Sequence, residues 1–104
     1  MKASKKKALE LRGWKVGTVA EFLGLSKEEE DFIELKLALA KELENTRKAK
    51  GLTQAEVASR IGSSQSRVAK MEGGDPKVST DLLIRSLLKL GAKKRDIGRK
   101  IALA

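Results

Sequence analysis

The chain of 104 residues contains no cysteine and no histidine. Without these residues it cannot form a disulfide, a Cys/His zinc site, a thiolate nucleophile or an imidazole acid–base catalyst. No segment approaches the roughly 18 apolar residues needed to span a bilayer, and no apolar run follows the N-terminal lysines as it would in a secretory signal. There is also no Gly-rich phosphate loop and no recognisable carboxylate pair. We therefore expect a cytoplasmic protein that is not an enzyme and has no metal or cofactor.

Aromatic residues are scarce as well, since Trp14, Phe22 and Phe32 are the only ones. A core for this chain must consist of Leu, Ile, Val and Ala. β-Branched and aromatic residues dominate sheets, so this composition favours packed helices. The length suits one domain with a single modest core. The composition therefore predicts an all-α protein.

Positive charge is in excess, and it is unevenly distributed. The net charge of +9 divides into about +5 over residues 1–15, −5 over residues 16–46 and +9 over residues 47–104. Such a concentration of Lys and Arg favours a phosphate-backbone partner through counterion release. A solvated basic surface without a partner is the alternative.

The first half of the chain is predicted to contain a long helix that is apolar on more than one face. We interpret residues 1–12 as a flexible basic tail and residues 16–23 as a short helix. A capping box at residues 26–29 then starts a helix that has no breaker before Gly51. Its apolar residues 32, 33, 35, 37 and 39 cannot share one stripe. The additional face must be covered by residues 16–23, by a second chain or by a different protein.

The second half is predicted to contain shorter helices, giving a bundle of five to six in all. A second capping box at residues 53–56 opens a helix to Ile61, and Gly62 supplies a left-handed turn. Ser63 or Ser64 caps the next helix, which ends near Glu72. Two more are predicted, one capped by Ser79 or Thr80 and one over residues 93–102. We divide the chain into the tail (1–12), a possible partner-binding region (13–46) and a helix-turn-helix domain (47–104).

The helix that begins near Ser64 has an unusually polar outer face. If Val68 and Met71 point inward, a rotation of roughly 100° per residue points Ser66 outward and turns Ser64 back toward the core. The outer face is completed by Ala69 and Lys70, with Gln65 and Arg67 at the flanks. An amide, a hydroxyl and two cations can pair with base edges in a major groove. The alternative is an ordinary solvated helix face.

The residues LTQAEVASRIGSSQSRVAKMEGG, at positions 52–74, resemble the helix-turn-helix of Cro/C1-type (XRE) regulators, the lambdoid phage repressor class. The resemblance implies base contacts by Gln65, Ser66 and Lys70, with Arg67 beside them. It also implies a scaffold ion pair between Arg47 and Glu72.

Phosphate contacts are expected around the starts of the two helices, where backbone N–H groups and the helix dipole attract anions. The candidates there are Gln54, Thr53 and Ser64, and the cation Lys77, after the second helix, is the fourth candidate. Regulators of this class bind paired half-sites as two-fold dimers, so we expect a double-stranded DNA operator and a homodimer. Ile97, Ile101 and Leu103 either close the core or form the dimer face.

The residues GWKVG (13–17), EFLGLS (21–26) and FIELK (32–36), followed by this motif, are similar to HigA-like antitoxins of toxin–antitoxin systems. That resemblance implies a repressor of its own operon that neutralises a RelE-like toxin, an mRNA-cleaving nuclease. Trp14, Phe22 and Phe32 are the possible partner-binding residues, and the alternative for Trp14 is a core position over the long helix. The acidic residues 28–31 and 34 either meet a basic partner or complement the helix dipole. The alternatives are a stand-alone or phage-type regulator without a toxin, and a protein-interaction module without DNA readout.

Overall fold

The computed structural model describes residues 23–104. In this range the chain forms five α-helices and no strand, which confirms the prediction of an all-α bundle. The helices are α1 (Lys27–Ala49), α2 (Gln54–Ile61), α3 (Gln65–Glu72), α4 (Thr80–Lys89) and α5 (Lys94–Ala102). None of these helices is long and apolar enough to cross a membrane. The predicted tail, Trp14, Phe22 and all of the predicted short helix except Leu23 lie outside the described residues.

Helix α1 begins where the sequence predicts, but only half of its capping box forms. The Oγ of Ser26 accepts a hydrogen bond from the backbone N–H of Glu29 at 3.2 Å. The same hydroxyl donates to Oε1 of Glu29 at 3.1 Å. The Glu29 carboxylate is therefore bonded to the Ser26 side chain, and the reciprocal bond to the Ser26 backbone that defines a full box is missing.

The two helices of the predicted motif are joined as the sequence indicates. Thr53 and Glu56 form a complete capping box. The N–H of Thr53 donates to Oε1 of Glu56 at 3.0 Å, and the N–H of Glu56 donates to Oγ1 of Thr53 at 3.1 Å. Gly62 ends α2 with φ 71° and ψ 41°, a left-handed conformation that costs glycine little. Ser64 then caps α3, since its Oγ accepts a backbone N–H of the first turn at 3.2 Å. These bonds fix the angle at which α3 leaves α2.

One hydrophobic cluster holds the five helices together. Helix α1 contacts α3, α4 and α5, and α2 packs against α3 and α4. Only the second half of α1 enters the cluster, beginning at Leu39. Its buried members are Leu39, Ala40, Leu43, Val57, Ala58, Ile61, Val68, Met71, Val78, Leu83, Leu87, Leu90 and Ile97. The core of the described chain is thus aliphatic apart from Met71, as the composition predicts.

The last two helices identify the α4 cap and show which apolar residues near the end of the chain are buried. Ser79 caps α4, because its Oγ accepts the N–H of Leu82 at 3.1 Å. In α5, Ile97 is buried and closes the core, whereas Ile101 and Leu103 are exposed. The apolar residues of α5 are therefore divided between the interior and the surface.

Candidate nucleic-acid interface

Helix α3 is anchored by two fully buried residues, and its other residues are exposed except Glu72 at its end. Val68 and Met71 lie in the core, three residues apart on the inner face. The residues predicted to face outward are all exposed, namely Gln65, Ser66, Arg67, Ala69 and Lys70. The core contacts therefore orient a polar and cationic face toward solvent, and Ala69 keeps that face slim.

The prediction that Ser64 turns toward the core is wrong, because Ser64 is exposed. Its backbone is extended, with φ −107° and ψ 156°, so a helical rotation of 100° per residue does not apply to it. Its Oγ accepts the cap hydrogen bond and retains a hydroxyl hydrogen that can be donated outward. Ser64 thus remains suitably placed for its predicted contact with a phosphate.

A cleft of about 350 Å³ brings several of the predicted site residues together between α3 and the start of α4. Ser64, Ser66, Arg67 and Lys70 line the side of α3. Asp75, Lys77, Val78, Ser79 and Leu82 line the other side. Candidates for base contact and candidates for phosphate contact therefore share one surface. Gln65, Thr53 and Gln54 do not line this cleft.

The charge of this cleft is positive. Among the described residues, none of Arg67, Lys70 and Lys77 forms an ion pair. The one carboxylate in the lining belongs to Asp75, whose Oδ1 accepts the backbone N–H of Lys77 at 2.8 Å. Three cations without a paired acid give the cleft a field that attracts a phosphate backbone.

Ser79 is a candidate that the sequence reasoning missed. Its Oγ accepts the cap bond of α4, and the residue lines the cleft, where a hydroxyl can donate its hydrogen to a phosphate oxygen. In the sequence it could be recognised only as a helix cap. Its position beside Lys77 follows from the fold of the loop over residues 73–79, which has no periodic pattern to predict it from.

Arg47 and Glu72 form an ion pair beneath the site. The Nε and Nη2 atoms of Arg47 donate to the two carboxylate oxygens of Glu72 at 2.7 and 3.0 Å. The remaining Nη1 donates to the carbonyl of Leu52 at 3.1 Å. The bond to Glu72 raises the pKa of Arg47 above its ordinary value. The pair ties α1 to the end of α3 and to the residue before the α2 cap, which is a scaffold geometry.

Gln54 belongs to the same network. Its Nε2 donates to Oε1 of Glu72 at 3.2 Å, and the side chain is half-buried. An amide nitrogen carries two hydrogens, so one of them stays available to a phosphate oxygen at the start of α2. Thr53, next to it, is exposed while its side chain caps α2. Their phosphate contacts remain predictions.

A larger groove of about 590 Å³ lies between α1 and α5 and reaches the end of α3. Its lining includes the carboxylates of Glu42, Glu44 and Glu72 beside Lys41 and Lys100. Glu42 and Glu44 are paired with lysines at 3.6 and 2.8 Å. Because three acids line this groove, it is a poorer surface for DNA than the smaller cationic cleft.

An all-α bundle that presents a cationic, polar helix after a tight, capped turn defines a DNA-binding protein of the helix-turn-helix class. A family model described as a helix-turn-helix domain matches residues 38–96, which is more than half of the chain. The chain belongs to this family and is a DNA-binding regulator of transcription. The match supports the resemblance to XRE regulators. No curated protein and no solved structure matches the chain.

Proposed function

We propose that the protein is a sequence-specific repressor that inserts α3 into the major groove of an operator. The observation that carries this proposal is the exposed group Ser66, Arg67 and Lys70 on a helix held by Val68 and Met71. Arg and Lys side chains recognise guanine O6 and N7. The base contacts therefore come from this face.

Gln65 opens α3 and is exposed, where its amide can pair with adenine N6 and N7. The proposed phosphate contacts are made around it by Thr53, Gln54, Ser64 and Lys77. Two of these are helix N-caps and one is the first residue of α2, positions at which backbone N–H groups favour an anion. This division gives α3 the sequence readout and its surroundings the register on the duplex.

The proposed operator complex is a homodimer on two half-sites. Support comes from Ile101 and Leu103, which are exposed at the end of the last helix. A symmetric contact through these residues would bury apolar surface that the monomer leaves in water.

We further propose that the protein is the antitoxin of a toxin–antitoxin pair in the cytoplasm, with a binding role and no catalytic one. Two observations support this. The sequence before the motif is similar to that of HigA-like antitoxins, and Phe32 on α1 is 53% exposed and Leu23 59% exposed. Neither residue belongs to the proposed DNA surface. A RelE-like toxin would contact this part of α1, together with Trp14 and Phe22.

Two other functions give different results in simple assays. A stand-alone regulator would bind its operator and have no toxin, whereas an interaction module would bind a protein and no operator. Co-expression with the neighbouring gene tests the antitoxin role, because the chain should rescue growth that the neighbour alone inhibits. Growth that is independent of this chain would refute that role and leave the DNA-binding role unaffected.

A gel shift on the region upstream of the gene tests the DNA readout. We expect Gln65→Ala to weaken operator binding by about 1–3 kcal/mol and to relax specificity at one base position. Lys77→Ala should weaken binding to all sequences alike and lower the slope of log K against log salt by about one. Lys41→Ala, on the exposed side of α1, is the control. An equal loss on all sequences for Gln65→Ala would contradict its role in base recognition.

A further inference from the structure

The loop over residues 73–79 is held by helix α1, forty residues earlier in the chain. The Nζ of Lys36 donates to the carbonyl oxygen of Pro76 at 2.9 Å. The next residue, Leu37, packs on Gly74 so closely that a Cβ at Gly74 would lie 2.7 Å from Leu37 Cδ2. Two consecutive residues of α1 therefore contact the loop that follows α3.

The peptide unit between Pro76 and Lys77 is bonded on both of its sides. Lys36 binds its carbonyl, and Oδ1 of Asp75 accepts its N–H at 2.8 Å. The N–H of Asp75 in turn donates to the carbonyl of Lys70 in α3 at 3.1 Å. The proline ring fixes the φ angle of Pro76 as well. The backbone position from which the Lys77 side chain leaves the loop is thus determined by α1 and α3 together.

Lys36 does not line the cationic cleft, whereas Lys77 does, opposite Lys70 and Arg67. We infer that Lys36 is a positioning residue for DNA binding, which holds the Pro76–Lys77 peptide unit and so orients Lys77 toward the phosphate backbone. This inference rests on the proposed phosphate contact of Lys77. It assigns a role in DNA binding to a residue outside the matched helix-turn-helix region of residues 38–96.

The expected effect is modest because the Lys36 bond is exposed to water. Without that bond, the loop samples more conformations, and its backbone must be ordered when DNA binds. An ordering cost the size of one immobilised side chain weakens binding by about two- to tenfold. A direct phosphate contact by Lys36 would give a loss of similar size, so the experiment must separate the two explanations.

The experiment measures binding of a short duplex from the region upstream of the gene. Lys36→Met removes the donor and keeps the aliphatic stem, and Lys41→Met removes the same charge from the same helix. Lys36→Met should bind about two- to tenfold more weakly, Lys41→Met should resemble the wild type, and Lys36→Arg should restore binding. In a Lys77→Ala background, Lys36→Met should have no further effect, because residues that act through one contact are not additive.

A second measurement needs no DNA. Amide hydrogen exchange at Lys77, whose N–H is bonded to Asp75, should be faster in Lys36→Met than in Lys41→Met. The role of Lys36 would be overturned, with the proposed function left standing, by either of two results. One is unchanged exchange at Lys77, and the other is a loss of DNA affinity in the Lys36→Met/Lys77→Ala double variant equal to the product of the two single losses. If the wild-type protein bound no duplex, the proposed function would fail and the role of Lys36 in DNA binding would fail with it.

Discussion

Removing one partner of the ion pair between Arg47 and Glu72 should destabilise the fold far more than breaking any exposed pair, and this can be tested residue by residue. The Arg47 side chain is 14% exposed and that of Glu72 only 4%. The Glu72 carboxylate accepts three hydrogen bonds, two from Arg47 and one from Gln54. Removing either partner therefore leaves a charge without its counter-ion in a mostly water-free place.

The two single variants should lose different amounts of stability, because the two side chains are buried to different extents. Arg47→Met leaves the nearly inaccessible carboxylate with only the Gln54 amide, and we expect a loss of about 3–5 kcal/mol. Glu72→Leu leaves the guanidinium with the Leu52 carbonyl and some contact with water. Its cost should be about 2–3 kcal/mol, similar to losing hydrogen bonds to a charged group.

The double variant Arg47→Met/Glu72→Leu decides between this explanation and simple loss of packing. Replacing both charged residues leaves no buried charge, so most of the stability should return, to within about 1–2 kcal/mol of the wild type. The two changes are then strongly non-additive.

Urea unfolding followed by circular dichroism measures these free energies. The matched control is Arg85→Met, which breaks the pair between Arg85 and Asp81. The Nε of Arg85 lies 3.0 Å from Oδ2 of Asp81, and the two side chains are 72% and 73% exposed. That variant should change stability by less than about 1 kcal/mol. An Arg47→Met variant as stable as Arg85→Met, or a double variant less stable than the sum of the single losses, would refute the reasoning.

Two further predictions concern the helix-turn-helix itself. Gly62→Ala should cost about 1–2 kcal/mol from backbone strain alone, because φ is 71° and nothing lies within 4 Å of the added Cβ. Gly74→Ala should cost at least as much, because φ is also 71° and its Cβ would displace the end of the Leu37 side chain, and a smaller loss in melting temperature than for Gly62→Ala would contradict this. Hydrogen bonds from Thr53 lower the pKa of Glu56 below its ordinary 4.5. A carboxylate whose pKa is lowered by folding stabilises the fold at pH values above its unfolded pKa, and this stabilisation is lost as pH falls through the folded pKa. The difference in stability between wild type and Glu56→Gln should therefore shrink as pH falls below 4.5, and a constant difference would argue against it.

The helix boundaries could be predicted because their signals are local. The cap at Ser26, the box at Thr53 and the left-handed Gly62 each act within a few residues, and each is found where the sequence predicts. The inner face of α3 follows from Val68 and Met71 by helical periodicity. The same periodicity gave the wrong direction for Ser64, because a cap residue is not helical.

The bonds that position the candidate site could not be predicted, since they join residues far apart in the chain. The Lys36–Pro76 bond spans 40 residues and the Gln54–Glu72 bond spans 18. Exposed lysines and glutamines have no pattern that identifies their partners. The Arg47–Glu72 pair was expected only through the family resemblance. The predicted domain boundary between residues 46 and 47 stays a prediction, although α1 is continuous across it.

Helix α1 joins the two proposed functions physically. Its second half is part of the core and contacts α3, α4 and α5, while its first half carries the exposed Phe32. Phe32 lies four residues before Lys36, one turn away on the same helix face. A protein that covers Phe32 would therefore also approach the Lys36 side chain, which is bonded to the loop over residues 73–79. Binding linkage is reciprocal. A partner that displaces Lys36 from Pro76 must therefore weaken DNA binding by the same factor by which DNA weakens the partner, whereas one that leaves this bond intact would bind together with DNA.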